Sequence, residues 1–294
     1  MLDTRLYGRE IMRRPNIVPP QAAENTENDV QDIGLFAGCA PPFTDDYQLL
    51  GEEQEAWFFD GLRNSTARWK LVGQQIMMAP LQVVGLPQGL CALPSSSQIV
   101  QLINDAGGGP LGQVLGGIIG SLPEIAASSI LLNADQWDGY PVARRRVLDV
   151  IADNAIDNVV VLTGDIHTSW ASDLTPDPNN PLAYQALSGG GSLGVEFVCT
   201  SITSPGLDVL APVSEALRLN NPHMKYIYLA RKGYMVLDVT PERCQGEWWY
   251  VDDILDPGTG ESFGAGFFTA DGGNRVQTAS GASSPRADAP ALAP

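Results

Sequence analysis

The sequence predicts a layered α/β sandwich, and three observations carry that prediction. Asn158–Thr163 (NVVVLT) is a β-branched run of the kind that fills a buried parallel strand, and it breaks abruptly at Gly164. Just before it, Pro141–Asn154 starts on proline and sets Val147, Leu148 and Ile151 on one face, the pattern of a helix. Beyond it, Glu196–Thr200, Tyr234–Thr240 and Gly246–Val251 read as strands in succession. Short strands alternating with helices, then strands following strands, are the signature of stacked layers around one core.

The remaining segments are placed in order. Met1–Tyr7 reads as a strand in mid-fold, and Gly8–Leu50, rich in Pro, Asn and Asp with little periodicity, as a long surface excursion. Gly51–Leu62 is amphipathic, with Ala56, Trp57, Phe59 and Leu62 expected toward a core and the glutamates toward water. Lys70–Leu81 reads as a strand ending in Met77–Met78. Residues 88–127 are low in charge and dense in Gly, Leu and Ile. They read as an insertion or lid, with an interface or structural filler as the other readings. The main domain is expected over 1–268, followed by an Ala/Pro/Ser-rich tail over 269–294 with too few large apolar residues to order itself.

A chain of 294 residues buries a substantial core. Its formal charge of −17 and pI near 4.3 exclude a nucleic-acid-binding surface, which needs clustered Lys and Arg. The same acidity repels anionic substrates, so any phosphate ester needs local positive charge from metal ions or a few arginines. The four cysteines (Cys39, Cys91, Cys199, Cys244) lie far apart without CxxC spacing. Isolated buried thiols are the first expectation, and one or two disulfides the expectation for an exported protein. The amino end lacks an apolar h-region and cleavage site, so no signal peptide is read here. No stretch reaches the roughly 18 apolar residues of a membrane span; the nearest, Leu111–Leu122, is short and glycine-rich.

The chemistry concentrates just after the β-branched run. Asp165 and His167 stand two apart at the strand's carboxyl end, where open α/β sheets place their sites. A hard oxygen and an imidazole nitrogen on one short loop suit iron, zinc or manganese. The chain has two histidines, and one of them sits here. Taken alone, the pair reads equally as a capped turn with a hydrogen-bonded histidine.

The surrounding sequence adds a resemblance. Trp137–Leu174 (WDGYPVARRRVLDVIADNAIDNVVVLTGDIHTSWASDL) resembles the PhoD-like alkaline phosphatases, a branch of the metallophosphoesterases. So do LDTRLY at Leu2–Tyr7, LLGEEQEAW at Leu49–Trp57 and WKLVGQQIMMAPL at Trp69–Leu81. Val195–Gly206 and Asn221–Ile254 continue the match in the same order. The resemblance implies the second half of a metallophosphoesterase-type α/β sandwich that hydrolyses phosphoesters through a metal-activated water. Asp165 and His167 match the family's GDxH loop and are expected as metal ligands, with Fe3+ and Ca2+ as the expected ions. Export to the periplasm or medium is also implied.

Other residues carry two readings each. Trp170 walls the substrate pocket or packs beneath the loop, packing being the first reading. Trp137, Asp138 and Tyr140 match the family's WDGY and either reach the pocket or form a turn. His223, in NPHMKY, reads as a surface or supporting residue before it reads as a ligand. Arg5 pairs with a core carboxylate or reaches phosphate. Ser188–Gly194 (SGGGSLG) lacks the GK[ST] ending of a phosphate-cradling loop and precedes a strand, so it reads as a flexible loop. Asp252-Asp253 reads as a solvated strand end.

One departure from the family pattern shapes the expectation. The resembled enzymes carry most metal ligands, and an amino-terminal β-sandwich, upstream of the LDTR strand. None of those motifs occurs in this chain. Two protein ligands fall short of the three or more that hold a catalytic metal. The chain alone is therefore expected to be a weak or inactive phosphatase, acting on small phosphoesters when joined to a missing amino-terminal segment or chain. The alternative is a non-catalytic remnant, or one chain of a split enzyme, acting as a binding or structural module.

Overall fold

A five-stranded sheet forms the centre of the chain, covered by helices on one face and a second sheet on the other. The computed structural model describes residues 1–10, 47–84, 129–131, 135–204, 211, 214–256 and 260–285. Helix α1 spans Glu52–Asn64, followed by strand β1 at Lys70–Gly73. A short hairpin pairs β2 (Gln82–Val84) with β3 (Ser129–Leu131). A 3-10 turn at Trp137–Gly139 leads into α2 (Pro141–Asp153), then β4 (Val159–Thr163), β5 (Ser169–Leu174) and β6 (Gly194–Val198). After α3 (Ser214–Asn220) come β7 (Met224–Tyr228), β8 (Gly233–Val239), β9 (Arg243–Val251), β10 (Glu261–Ala270) and β11 (Gln277–Thr278).

The central sheet runs β1-β4-β6-β5-β7, with β1, β4 and β6 parallel and β5 antiparallel to both neighbours. The second sheet runs β11-β10-β9-β8, wholly antiparallel. Every residue of β5 and β6 is buried, as expected of strands covered on both faces. Strand alternation sorts the side chains into two cores. Val159, Val161, Trp170 and Met224 face the helices, joined by Val147, Leu148 and Ile151 of α2. Val160, Ala171, Val195 and Phe197 face the second sheet, meeting Cys244, Trp248, Tyr250 and Phe267. Trp248 crosses between the sheets, with its ring edge-on to Phe197 and its Nε1–H donating to the Val198 carbonyl at 2.8 Å. The layered α/β sandwich is thus present.

Several expected boundaries shift. Met1–Tyr7 is a chain of bends instead of a strand, although the Leu2 amide bonds to the Gly73 carbonyl and so lies along β1. In α1 the buried pair is Phe58 and Leu62, one turn apart, while Trp57 is 61% exposed and Ala56 is also exposed. Gly51 takes a left-handed backbone (φ 72°) at the N-cap, and Leu62 with the half-buried Phe59 meets the core as expected, joined by Phe58 in place of Trp57. Strand β1 stops at Gly73, well short of Leu81. The tail expected to lack order begins inside β10. Residues 269–285 are held by hydrogen bonds together with the burial of Val276 in the core between the sheets. Val276 N donates to Asp173 at 2.6 Å, Ser283 N to Glu247 at 2.6 Å, and Asn158 ties to Asp271, Gly272 and Asn274. Residues 286–294, the surface excursion over 11–46 and the insertion over 88–127 lie outside the described residues.

The segment after β1 stays bonded to β4 and its loop through Gln74 and Gln75, and beyond them it is seated by buried side chains. The Glu196 carboxylate, in the middle of β6 and fully buried, accepts the consecutive amides of Met78 (2.8 Å) and Ala79 (2.7 Å). It also accepts the Thr163 hydroxyl at 2.6 Å. Asp138 accepts the Leu81 amide at 2.9 Å, and His223 Nε2 donates to the Pro80 carbonyl at 3.0 Å. Removing charge and one acceptor at the centre of this arrangement leaves buried amides unpaired. Glu196→Gln is expected to cost about 3 kcal/mol of unfolding free energy, read from urea titrations against the parent chain.

Candidate active site

Strand β4 delivers the GDIH loop to the carboxyl end of the central sheet, as the sequence indicates. The Gly164 amide donates to the Gln75 carbonyl, and Ile166 N donates back to Gly164 O at 2.8 Å. Two non-glycine residues of this loop, Asp165 (φ 67°) and His167 (φ 60°), adopt left-handed backbone. Each such residue costs roughly 1–3 kcal/mol, and such outliers cluster where the surrounding structure needs a particular side-chain direction. The loop is closed by Thr200, whose hydroxyl donates to the His167 carbonyl at 3.0 Å, and by the buried Lys232, whose Nζ lies 3.5 Å from the same oxygen.

The amino-terminal LDTR segment packs against this loop. The Thr4 amide and hydroxyl both donate to Gln75 Oε1, at 2.9 and 2.7 Å. That seating brings Arg5 across to the loop: Nη2 lies 2.6 Å from Asp165 Oδ2 and Nη1 2.6 Å from Asp135 Oδ2. Arg9 closes on the other oxygen of Asp135 at 2.6 Å and donates through Nε to the Tyr140 hydroxyl at 3.0 Å. Arginine and aspartate thus alternate through four residues from three distant segments. Asp135, Arg9, Gln75 and Lys232 were not singled out by sequence reasoning. Asp135 and Arg9 each sit two residues from a quoted motif residue, Trp137 and Tyr7, but no spacing rule ties them together.

The expected pocket residues divide. Arg5 is at the loop, as a salt-bridge partner. Trp170 is buried with its Nε1–H donating to Thr168 Oγ1 at 2.6 Å, the packing reading. Trp137 is buried and donates to Gln74 Oε1 at 2.6 Å. Asp138 is buried beneath Leu81, so neither residue is an exposed tip. Tyr140 is buried, with its hydroxyl donating to the Glu10 carbonyl at 2.8 Å. His223 is fully buried against Pro80 instead of lying at the surface. Cys199 and Cys244 are free thiols, burial pushing Cys244 up to about 12, while Cys39 and Cys91 lie outside the described residues. Among the described residues no group of three or more His, Cys, Asp or Glu side chains could hold a metal ion. Asp165 and His167 alone fall short of a catalytic metal's usual ligand set.

A family model for PhoD-like phosphatases matches residues 1–248 of this sequence. The chain belongs to the PhoD-like phosphatase family. Alkaline phosphatase D of Bacillus subtilis (strain 168) is 32% identical over 269 residues, covering 91% of this chain and 34% of that relative. A solved structure of PhoD matches with a TM-score of 0.58 at 29% identity, over 81% of this chain and 36% of its own. The chain spans about a third of the length of these PhoD-like relatives. No described helix is long and apolar enough to cross a membrane.

Beneath the site, burial drives two titratable groups in opposite directions. Asp138 is pushed up to about 7 by burial, with the Leu81 amide and Arg144 opposing. His223 is pushed down to about 3 by burial and by the nearby Arg144 guanidinium. The folded state therefore keeps a proton on Asp138 that the unfolded chain loses, so that contribution declines as pH rises from about 4 to about 7. The neutral His223 acts oppositely: its contribution is present above about 6.5 and lost as pH falls toward about 3. Asp138→Asn is expected to remove the first slope and His223→Gln the second, seen as changed pH dependence of the urea midpoint.

Proposed function

We propose that this chain supplies the GDxH part of a metal-dependent phosphoester hydrolase of the alkaline phosphatase or phosphodiesterase type. Family membership together with Asp165 and His167 in strained backbone on a strand-end loop carries this reading. Asp165 and His167 contribute part of the ligand set for the ions, Fe3+ and Ca2+ in this proposal. The described residues alone do not complete such a set, so further ligands come from an amino-terminal segment or chain. When bound, the metal neutralises phosphate oxygens and generates the attacking hydroxide. This chain's own share is to fix the loop, through Gln75, Thr200 and Lys232, and to place Arg5 beside Asp165. The substrate is a small phosphoester, and the setting is outside the cytoplasmic membrane.

A second reading is favoured by the Arg5–Asp165 ion pair. A carboxylate already neutralised by a guanidinium suits a binding or structural module, or one chain of a split enzyme. The purified chain is expected to turn over p-nitrophenyl phosphate and bis(p-nitrophenyl) phosphate weakly or not at all with added Fe3+ and Ca2+. Any residual metal-dependent turnover is expected to disappear in Asp165→Ala. Robust turnover by the isolated chain would overturn the incompleteness reading, and turnover indifferent to Asp165→Ala would overturn the site.

A further inference from the structure

We infer that the polar layer between α2 and the central sheet encloses bound water, held by Arg144, Ser172, Thr175 and His223. The inference is independent of the proposed catalytic role. Strand alternation builds the layer. Val195 and Phe197 of β6 face the second sheet, so Glu196 between them faces the helices. Ala171 of β5 also faces the second sheet, which turns Ser172 to the helix side with Trp170 and Leu174. Ser172 stands opposite Glu196 in register on one flank and opposite Met224 on the other. His223 immediately precedes Met224, and its carbonyl accepts the Asp173 amide. Arg144, in the first turn of α2, closes the layer from the helix side by donating through Nη1 to the Thr175 carbonyl.

Ser172 Oγ, Thr175 Oγ1 and His223 Nδ1 are buried here without a protein partner. His223 uses its Nε2–H on the Pro80 carbonyl, so Nδ1 carries a lone pair that needs a donor. The two hydroxyls need an acceptor for their protons. Arg144 adds a second mismatch. Its buried guanidinium is close enough to Asp138 and Glu196 to influence their ionisation, yet it pairs directly with neither. It meets only the carbonyls of Thr175 at 3.4 Å and Pro176 at 3.2 Å, long bonds for a group with five N–H donors. Water answers both mismatches: it donates to Nδ1 and accepts from the guanidinium and the hydroxyls. Buried polar groups are paired with protein or with ordered water, and a site with several polar partners is where such water is retained. Arg144 repels a cation and Glu196 repels an anion, so a neutral hydrogen-bonding ligand fits. The same layer seats Met78–Leu81 through Glu196, Asp138 and His223, and the water completes that support.

Oxygen-17 magnetic relaxation dispersion on the full 294-residue chain counts long-lived internal water in solution. Ser172→Val deletes one hydroxyl and fills the adjoining space with methyl groups. Where it folds, as checked by urea titration, it is expected to lose dispersion amplitude equal to about one water molecule. A second measurement needs no variant. The chain has two histidines, so the imidazole nitrogen resonances of His223 can be assigned against those of His167. Nδ1 of His223 is expected upfield of the position of a free lone-pair nitrogen, the direction that accepting a hydrogen bond produces. Unchanged amplitude in the folded Ser172→Val chain would overturn the inference and show the layer to be dry. Nδ1 resonating as a free lone pair would overturn it as well, whether or not that variant folds.

Discussion

The buried carboxylate of Glu196 is the constraint on which the site depends. A carboxylate with no solvent around it is tolerated only when its oxygens are occupied by donors. Here the donors are two consecutive amides, Met78 and Ala79, and the Thr163 hydroxyl. Gln74 extends the connection, donating to Thr163 and accepting from Trp137, so the ends of β1 and β4, the middle of β6 and the turn before α2 share one hydrogen-bond network. Gln75 sits inside the segment this network holds. Its carbonyl accepts the Gly164 amide and its side chain accepts Thr4. The two loops that face each other across the site, one carrying Arg5 and the other Asp165, are therefore both referenced to a segment that Glu196 keeps in place.

That arrangement explains which parts of the molecule could be read from local sequence. Strand β4 and helix α2 announce themselves because each has the pattern of its burial, a run dominated by β-branched residues in one and an apolar face in the other. The GDIH loop follows directly from the abrupt end of β4. Helix α1 is legible as a helix and partly in its facing: Leu62 and Phe59 meet the core as expected, while Phe58 is buried and Trp57 exposed. Residues 269–285 were read as lacking order because composition measures apolar surface, whereas here the fold is held by carboxylates accepting backbone amides. For His223 the surface and supporting readings stay open in the sequence for a similar reason: nothing local shows that its ring meets Pro80 from 143 residues away.

The site's least legible feature is its charge pairing. Arg5 and Asp165 are 160 positions apart, and Arg5 and Asp135 are 130. Arg5 and Asp165 are visible as candidates on their own and Asp135 is not, because spacing rules describe neighbours along a helix or strand and are silent on contacts made by the topology. The parallel order of β1 beside β4 creates the encounter. It sets the segment leaving β1 next to the loop leaving β4, and Leu2, bonded to Gly73, carries the LDTR residues alongside.

The same geometry separates shape from charge in what this portion of the family fold contributes. Two left-handed residues keep Asp165 and His167 directed from one loop, and the hydrogen bonds from Gly164 and Thr200 and the approach of Lys232 hold that loop without any ligand. The shape is therefore built in advance, which lowers the cost of binding. Charge is not surplus in the same way. Arg5 and Arg9 are both engaged with carboxylates, and the chain as a whole carries −17. The loop is thus fixed in shape and balanced in charge, its nearby guanidinium groups already paired with Asp135 and Asp165.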